Sequence, residues 1–394
     1  ITDKPIIEYV PVSSNGGDAV TQYPAETVAE LGLLKMDFLG LRFLSVLDDA
    51  EKDVRRKDPA FSLAAVDDGD EATYAMLSAG DSVGLFQLES DGMRALLTKL
   101  RPYCLEDIMS AISLYRPGPM QSISRFLKNR ADPASIRYAD ERLADILGST
   151  GGCIIYQEQV MMIFRVLAGY SYGRADVVRR MMSKKKVDEM EREKAFFLAG
   201  AAENGVRPET AESVFADMSD FAKYAFNKSH AAAYAVVAFR TAYLKCHHRR
   251  EYMCALLNSV AGDNRRVDLY IDDLSRAGIR VLPPDVNESG EGFTVVGDNL
   301  RFGLAAVKNV GGAFAAFIVQ ERLANGPYTG FEDFLLRTQG RGNVRMLESL
   351  VNCGAMDGFG HPRSRMAAAA ESAVQTVAGM NNGVIAGQMG LFDA

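Results

Sequence analysis

FNKSHAAAYAVVAFRTAYLKCHHRR, residues 226–250, decides the fold class. From Ala231 to Leu244 apolar residues recur at three and four positions, the period of a helix. Asn227, Lys228 and Ser229 stand where a helix start takes its caps. His230 and Tyr234 fall one turn apart on one face. The run Ala231 to Phe239 is the longest apolar stretch, far short of the ~20 residues that cross a membrane.

The same period recurs outward from this segment, across Met93 to Leu100, Val160 to Leu167 and Ala211 to Phe221. Gly205 and Gly278 sit where helix C-caps belong. Pro117-Gly118-Pro119 forbids a helix and predicts a rigid turn. Strand signals are confined to two regions. Residues 6–24 read as short strands around a turn at Ser14-Asn15-Gly16-Gly17. Arg280 to Leu304 reads as a second small strand region. In LLKMDFLGLR, residues 33–42, Leu33, Lys35 and Asp37 share one face of an extended segment that Gly40 breaks, and Leu41 to Arg56 has helical spacing. The expectation is a mainly α fold with a small β portion (α+β). VKNVGG, residues 307–312, is a tight turn opening a helix over Ala313 to Leu323, and Asn343 can cap another. Residues 377–390 read as a flexible linker.

The 394 residues suffice for about two or three domains, and 48% hydrophobic with 24% charged residues is ordinary globular usage. Net charge is −7, which taken alone disfavours nucleic acid. The cations are clustered, however, at Arg179-Arg180 with Lys184 to Lys186, and at Lys245 to Arg250. A phosphate backbone needs a basic face rather than a basic total. The five cysteines are scattered, with no CxxC pair, which fits a reducing cytoplasm. Cys246 and Cys254 near His247 and His248 read as buried small hydrophobes on a helix rather than metal ligands.

Five constellations can carry chemistry, each beside a plainer reading. Asp37 suits a Mg²⁺ ligand or a solvated strand end, and Lys35 can meet a phosphate or pair with Asp37. Arg179 and Arg180 in RRMMSKKK can grip a triphosphate, or form a solvated basic helix end. FNKSHAAAYA offers a helix N-terminus with His230 and Tyr234 for a phosphate, or a capping segment with a satisfied histidine. VKNVGG can point backbone N–H groups at a DNA phosphate, or be one of the many ordinary helical hairpins that look like this. QMGLF, residues 388–392, can dock in a partner's groove, or arise by chance.

Taken in order, LGLLKMDFLGLR, VGLFQLES (83–90), LYRPGPM (114–120), IIYQEQVM (154–161), RRMMSKKK, FNKSHAAAYA, LPPDVN (282–287), VKNVGG and QMGLF resemble the successive signatures of bacterial DNA polymerase III alpha subunits, the C family of replicative polymerases. The resemblance covers essentially the whole chain. It implies the C-terminal part of a palm at 1–40, with remnant palm strands. Fingers follow at 41–278, a small β segment with a helix-hairpin-helix module at 279–360, and a helix, linker and clamp-binding peptide at 361–394. It implies Asp37 as catalytic and metal ligand. Lys35, Arg179, Arg180, His230 and Tyr234 would serve the incoming nucleotide. Lys308, Asn309, Val310, Gly311 and Gly312 would hold duplex DNA, and Gln388, Leu391 and Phe392 would dock on the sliding clamp. Two Mg²⁺ ions, a dNTP, primer-template DNA, other holoenzyme subunits and a cytoplasmic, nucleoid-associated setting come with it, and no membrane.

The family's P-D-x-D-x-D-type motif with the first two catalytic aspartates does not occur in these residues, nor does its glycine-serine loop. The expectation is therefore an internal fragment, inactive in polymerisation alone. Where the family often has glycine, this chain has Asn309, which must tolerate a left-handed backbone. A non-catalytic DNA-binding and clamp-docking accessory protein, or the family's error-prone paralogue, are the competing expectations.

Overall fold

A computed structural model describes residues 1–36, 40–183, 187–221 and 224–370. The chain divides into two compact units, Ile1–Arg42 and Phe43–Ala394. In the first, β1 (Val12–Asn15) and β2 (Asp18–Thr21) form an antiparallel hairpin in which Asn15 faces Asp18. Gly16 and Gly17, at φ 62° and 98°, make the turn the sequence predicts. α1 (Ala25–Glu30) follows. Leu33 to Met36 carry no strand, contrary to the extended palm strand expected there. A lone extended segment leaves its backbone groups without partners, and the only strand pair among this unit's described residues is the hairpin. Asp37 lies outside the described residues.

The second unit is helical first and mixed later. Its helices begin with α2 (Arg42–Arg55), α3 (Glu71–Ser78), α4 (Asp91–Leu100), α5 (Leu105–Leu114), α6 (Ile123–Ala131) and α7 (Ala144–Leu147). α8 (Gln157–Ala168), α9 (Tyr172–Ser183), α10 (Val187–Glu203) and α11 (Pro208–Phe221) form a group around one apolar core. Phe164, Phe197 and Phe215 are centred in it. α12 (Lys228–His247), α13 (Arg249–Ser259) and α14 (Asn264–Arg276) come next. The predicted glycine stops hold: Gly205 and Gly278 have φ 76° and 78°, closing α10 and α14. The Pro117-Gly118-Pro119 turn leads at once into a 3-10 helix, Pro119–Ser122.

The later strand region is a three-stranded sheet. β3 (Val281–Leu282) runs parallel to β5 (Asn299–Arg301), which pairs antiparallel with β4 (Thr294–Val296). α15 (Gly312–Asn325), α16 (Phe331–Arg337) and α17 (Val344–Asn352) enclose a separate core around Phe314, Ile318, Phe334 and Leu350. Asn343 caps α17 through the Met346 N–H, as its position predicts.

α12 is the axis of the helical part. Ala231, Ala235, Ala238 and Ala242 form a buried stripe, and small side chains let α12 lie close against α5, buried throughout from Asp107 to Leu114. The stripe ends on Lys245, which is 0% exposed. Its ammonium donates to the Val83 carbonyl at 2.9 Å and pairs with Asp81 at 2.7 Å and Asp273 at 3.1 Å. Arg249 reaches Asp81 at 2.5 Å. Arg250 pairs with Asp298 and His247 with Asp70. The cluster Lys245 to Arg250 is therefore matched by internal carboxylates, and it is not the open cationic face its sequence suggests.

This network pins an irregular segment, residues 79–90. Thr241 Oγ1 accepts from the Phe86 N–H, and Tyr252 donates to the Gly84 carbonyl at 2.6 Å. Gly84, at φ 74°, lies against Leu256, and a Cβ there would stand 2.6 Å from that side chain. Burial raises the Asp81 carboxyl, but the Arg249 and Lys245 hydrogen bonds outweigh it and leave the group below its ordinary range. A depressed carboxylate adds stability above its unfolded pKa and loses it as pH falls through the folded one. Lys245→Ala should cost about 1.5–3 kcal/mol, from the lost charged hydrogen bonds, while Arg249 still meets both carboxylates. Urea titration checks this. Wild-type stability should also fall as pH drops below about 4, more steeply than in the variant.

Candidate nucleotide and DNA interface

Three segments meet at the start of α12. Residues Ile155 to Gln157 run parallel to Phe226: the Phe226 N–H donates to the Ile155 carbonyl at 2.9 Å, and the Gln157 N–H donates to the Phe226 carbonyl at 2.8 Å. Gln159 makes the preceding turn possible. Its side-chain oxygen accepts from the Ile155 and Tyr156 N–H groups, while its amide donates to Thr150. α8 therefore starts beside α12.

Arg179 joins the same place from α9. Its Nη1 donates to Gln157 Oε1 at 3.0 Å, and the Gln157 amide donates onward to the Ala225 carbonyl at 3.1 Å. The Nε and Nη2 edge of Arg179 engages Asp176 at 3.1 and 2.8 Å. Arg180 meets the other Asp176 oxygen at 2.6 Å. Arg179 is mostly covered and Arg180 mostly exposed, at 17% and 68%. The two arginines hold the Asp176 carboxyl below its usual range, Arg179 more strongly. Lys184, Lys185 and Lys186 lie outside the described residues.

Asn227 caps α12 by accepting from the His230 N–H at 2.9 Å. Glu158 adds a second cap, accepting from the Lys228 N–H and the Asn227 amide. The expected anion seat at this helix end is thus filled by a protein carboxylate, so the capping reading holds for the backbone there. The side chains beyond it stay available. His230 is exposed, its ring 4.1 Å from that of half-buried Tyr234, on the shared face the spacing predicts. Tyr234 in turn meets Phe86, and His230 meets Phe226 edge-on. These rings line a groove of about 610 Å³ with Tyr115 and Arg116.

Arg116, Phe86 and Glu89 carried no assigned role in the sequence, and the structure puts all three in this groove. The Arg116 guanidinium lies 4.0 Å over the Phe226 ring and donates to the Tyr224 carbonyl. Gly118, at φ 101°, faces the Tyr224 ring, where a Cβ would come within 2.6 Å. The proline-glycine turn therefore braces the approach to α12. The contact that gives Arg116 its place spans 108 residues, which no local pattern in the sequence announces.

The VKNVGG turn sits apart from this groove in sequence. Val307 and Val310 are buried anchors, while Lys308, Asn309, Gly311 and Gly312 face solvent. Asn309 has φ 71°, the left-handed backbone expected of it, and its amide donates to Ser349. Gly311 stands at the cap of α15 with φ 72° and brings no side chain to bond the first N–H groups. Those groups suit an oxygen from outside. Lys35 is exposed in the first unit. Gln388, Leu391 and Phe392 lie outside the described residues.

Among the described residues no group of three or more His, Cys, Asp or Glu could hold a metal. Asp37, the one ligand of the two-ion site that the resemblance names in this chain, lies outside the described residues. Cys254 is buried, with its thiol pushed up to about 12 by burial and bonded to the Phe293 carbonyl. No helix among the described residues is long and apolar enough to cross a membrane.

A helical unit with an arginine-lined groove, followed by a helical hairpin module, is the class these features define. Residues 43–205 match the bacterial DNA polymerase III alpha subunit finger domain, and residues 278–366 match a helix-hairpin-helix motif. The chain is 44% identical to the DNA polymerase III subunit alpha of Thermus aquaticus, over all of this chain and 33% of that protein. It is 40% identical to that of Mycobacterium tuberculosis, over all of this chain and 34% of the relative. With that of Bacillus subtilis it shares 39%, over 95% of this chain and 34% of the relative. The chain belongs to the family of bacterial DNA polymerase III alpha subunits and spans about a third of the length of these relatives.

Asn309→Ala should lower stability by about 1–2 kcal/mol, from the left-handed backbone and the lost Ser349 bond. Asn309→Gly keeps the backbone relaxed and should lose less than half of that. Thermal unfolding distinguishes the two.

Proposed function

We propose that this chain is the nucleotide-gripping and duplex-holding part of a polymerase that performs template-directed DNA synthesis in chromosomal replication, joining a dNTP to a primer 3′-hydroxyl. The observation that carries this is the continuous path Arg179–Gln157–Phe226–Asn227–His230–Tyr234. It ties the start of one motif, through Gln157, to the segment that opens another about fifty residues on. Arg180, the exposed member of its pair, takes the triphosphate charge, with Arg179 fixing the geometry behind it. His230 and Tyr234 meet the nucleotide's sugar and phosphates, and Lys35 is separately proposed as a phosphate contact. Positioning and charge neutralisation are the work of these residues.

Mg²⁺ is the divalent ion such chemistry uses, and Asp37 would be this chain's share of its ligands. It would supply charge neutralisation at the reacting oxygens. Duplex DNA is held at Lys308 to Gly312 by its backbone, without reading sequence. Gln388, Leu391 and Phe392 are the proposed clamp peptide, and the other replicative subunits, in a cytoplasmic and nucleoid-associated setting, are the proposed surroundings. The proposed boundaries are palm to 40, fingers 41–278, β segment and hairpin module 279–360, and tail beyond.

The test is binding by the purified chain. Arg180→Ala should weaken dNTP affinity about tenfold or more, the loss of a charge-assisted contact. Duplex affinity should fall linearly in log[salt], with a slope shallower by about one in Lys308→Ala. Salt-indifferent DNA binding, or dNTP binding untouched by Arg180→Ala, counts against the assignment. These 394 residues alone should not extend a primer.

A further inference from the structure

Among the described residues, Asp176 is an acidic side chain that engages both arginines of the pair. One of its oxygens takes the Nε and Nη2 edge of Arg179, and the other takes Arg180. A phosphate group would use the same edge, because a guanidinium presents its donors as a planar fork. The opposite side of Arg179 is engaged by Gln157, whose own amide is bonded to Ala225. Arg179 is largely covered, so its fork is reached from the direction where Asp176 stands. Asp176 itself is 28% exposed and on the surface of α9. It can swing into water without burying its charge.

We propose that Asp176 is a resident counter-ion standing where a phosphate of the triphosphate stands, and that it sets the affinity of the arginine pair by competing for it. This deepens the triphosphate reading of Arg179 and Arg180 and rests on it. The carboxylate keeps two adjacent cations from repelling one another and occupies the Arg179 fork. A triphosphate, with several charges against one, displaces it. A single carboxylate or a monophosphate gains far less by the exchange. Asp176 thereby favours polyanions over monoanions at this seat, a discrimination made by repulsion as much as by attraction.

The probe is inorganic tripolyphosphate, which removes base and sugar recognition from the measurement. Its binding to the full chain is followed by calorimetry for wild type, Asp176→Asn, Arg180→Ala and the double variant. Asp176→Asn should bind about three- to tenfold tighter, the release of exposed ion pairs and of one repelling charge. The gain should vanish in the double variant, as coupling through Arg180 requires. Monophosphate should gain proportionally more than tripolyphosphate from the same substitution. Asp176→Ser serves as a second variant should the asparagine disturb α9, whose helicity circular dichroism reports. Affinity that is unchanged or weakened by both substitutions overturns the competition and makes Asp176 a strut. Tripolyphosphate binding undiminished by Arg180→Ala overturns the site assignment itself, and the competition with it.

Discussion

A buried ammonium is the constraint around which the helical part is arranged. Lys245 has no exposure, and an unpaired charge in such a place would be prohibitive. Its partners therefore fix two pieces of chain against α12 at once: the segment of Asp81 and Val83 before α4, and Asp273 on α14. The irregular segment 79–90 has no ladder of its own. Beyond its own turns, it is tied down by Lys245, Thr241 and Tyr252. Once that segment is fixed, Phe86 is fixed, and its ring forms the floor against which Tyr234 packs. A charge at the far end of α12 thus determines the setting of the aromatic face near its beginning.

Local chemistry was legible in the sequence wherever the signal was short-ranged. Asn227 and Asn343 cap the helices their positions announced, and Gly205 and Gly278 close theirs. Gly16-Gly17 turns the hairpin, and Asn309 takes the left-handed backbone. His230 and Tyr234 share a face because helix geometry allows nothing else. The order of motifs along the chain carried the family.

What stayed hidden depended on partners distant in sequence. Lys245 to Arg250 looked like a cationic surface, because no sequence pattern reveals that Asp81, Asp273, Asp298 and Asp70 come to meet it. Glu158 at the α12 cap is some seventy residues away from the N–H it bonds. Leu33 to Met36 alternate like a strand, yet alternation specifies a face only where a neighbouring strand exists to pair with. The groove roles of Phe86 and Arg116 were unreadable for the same reason: both sit in non-helical motifs whose meaning is given by what they touch.

The parallel bridge between Tyr156 and Phe226 has a topological effect. It joins the chain just before α8 to the chain just before α12, so that α8 to α11 leave and return at one point. The four helices hang as a pendant whose core also takes in Leu143 and Leu147 from the segment before it, and which two backbone hydrogen bonds close at its stem. Any tilt of that pendant pivots beside the Asn227 cap. A swing of α9 and its arginines would then be geared directly to the first turn of α12, with no intervening lever to dampen it.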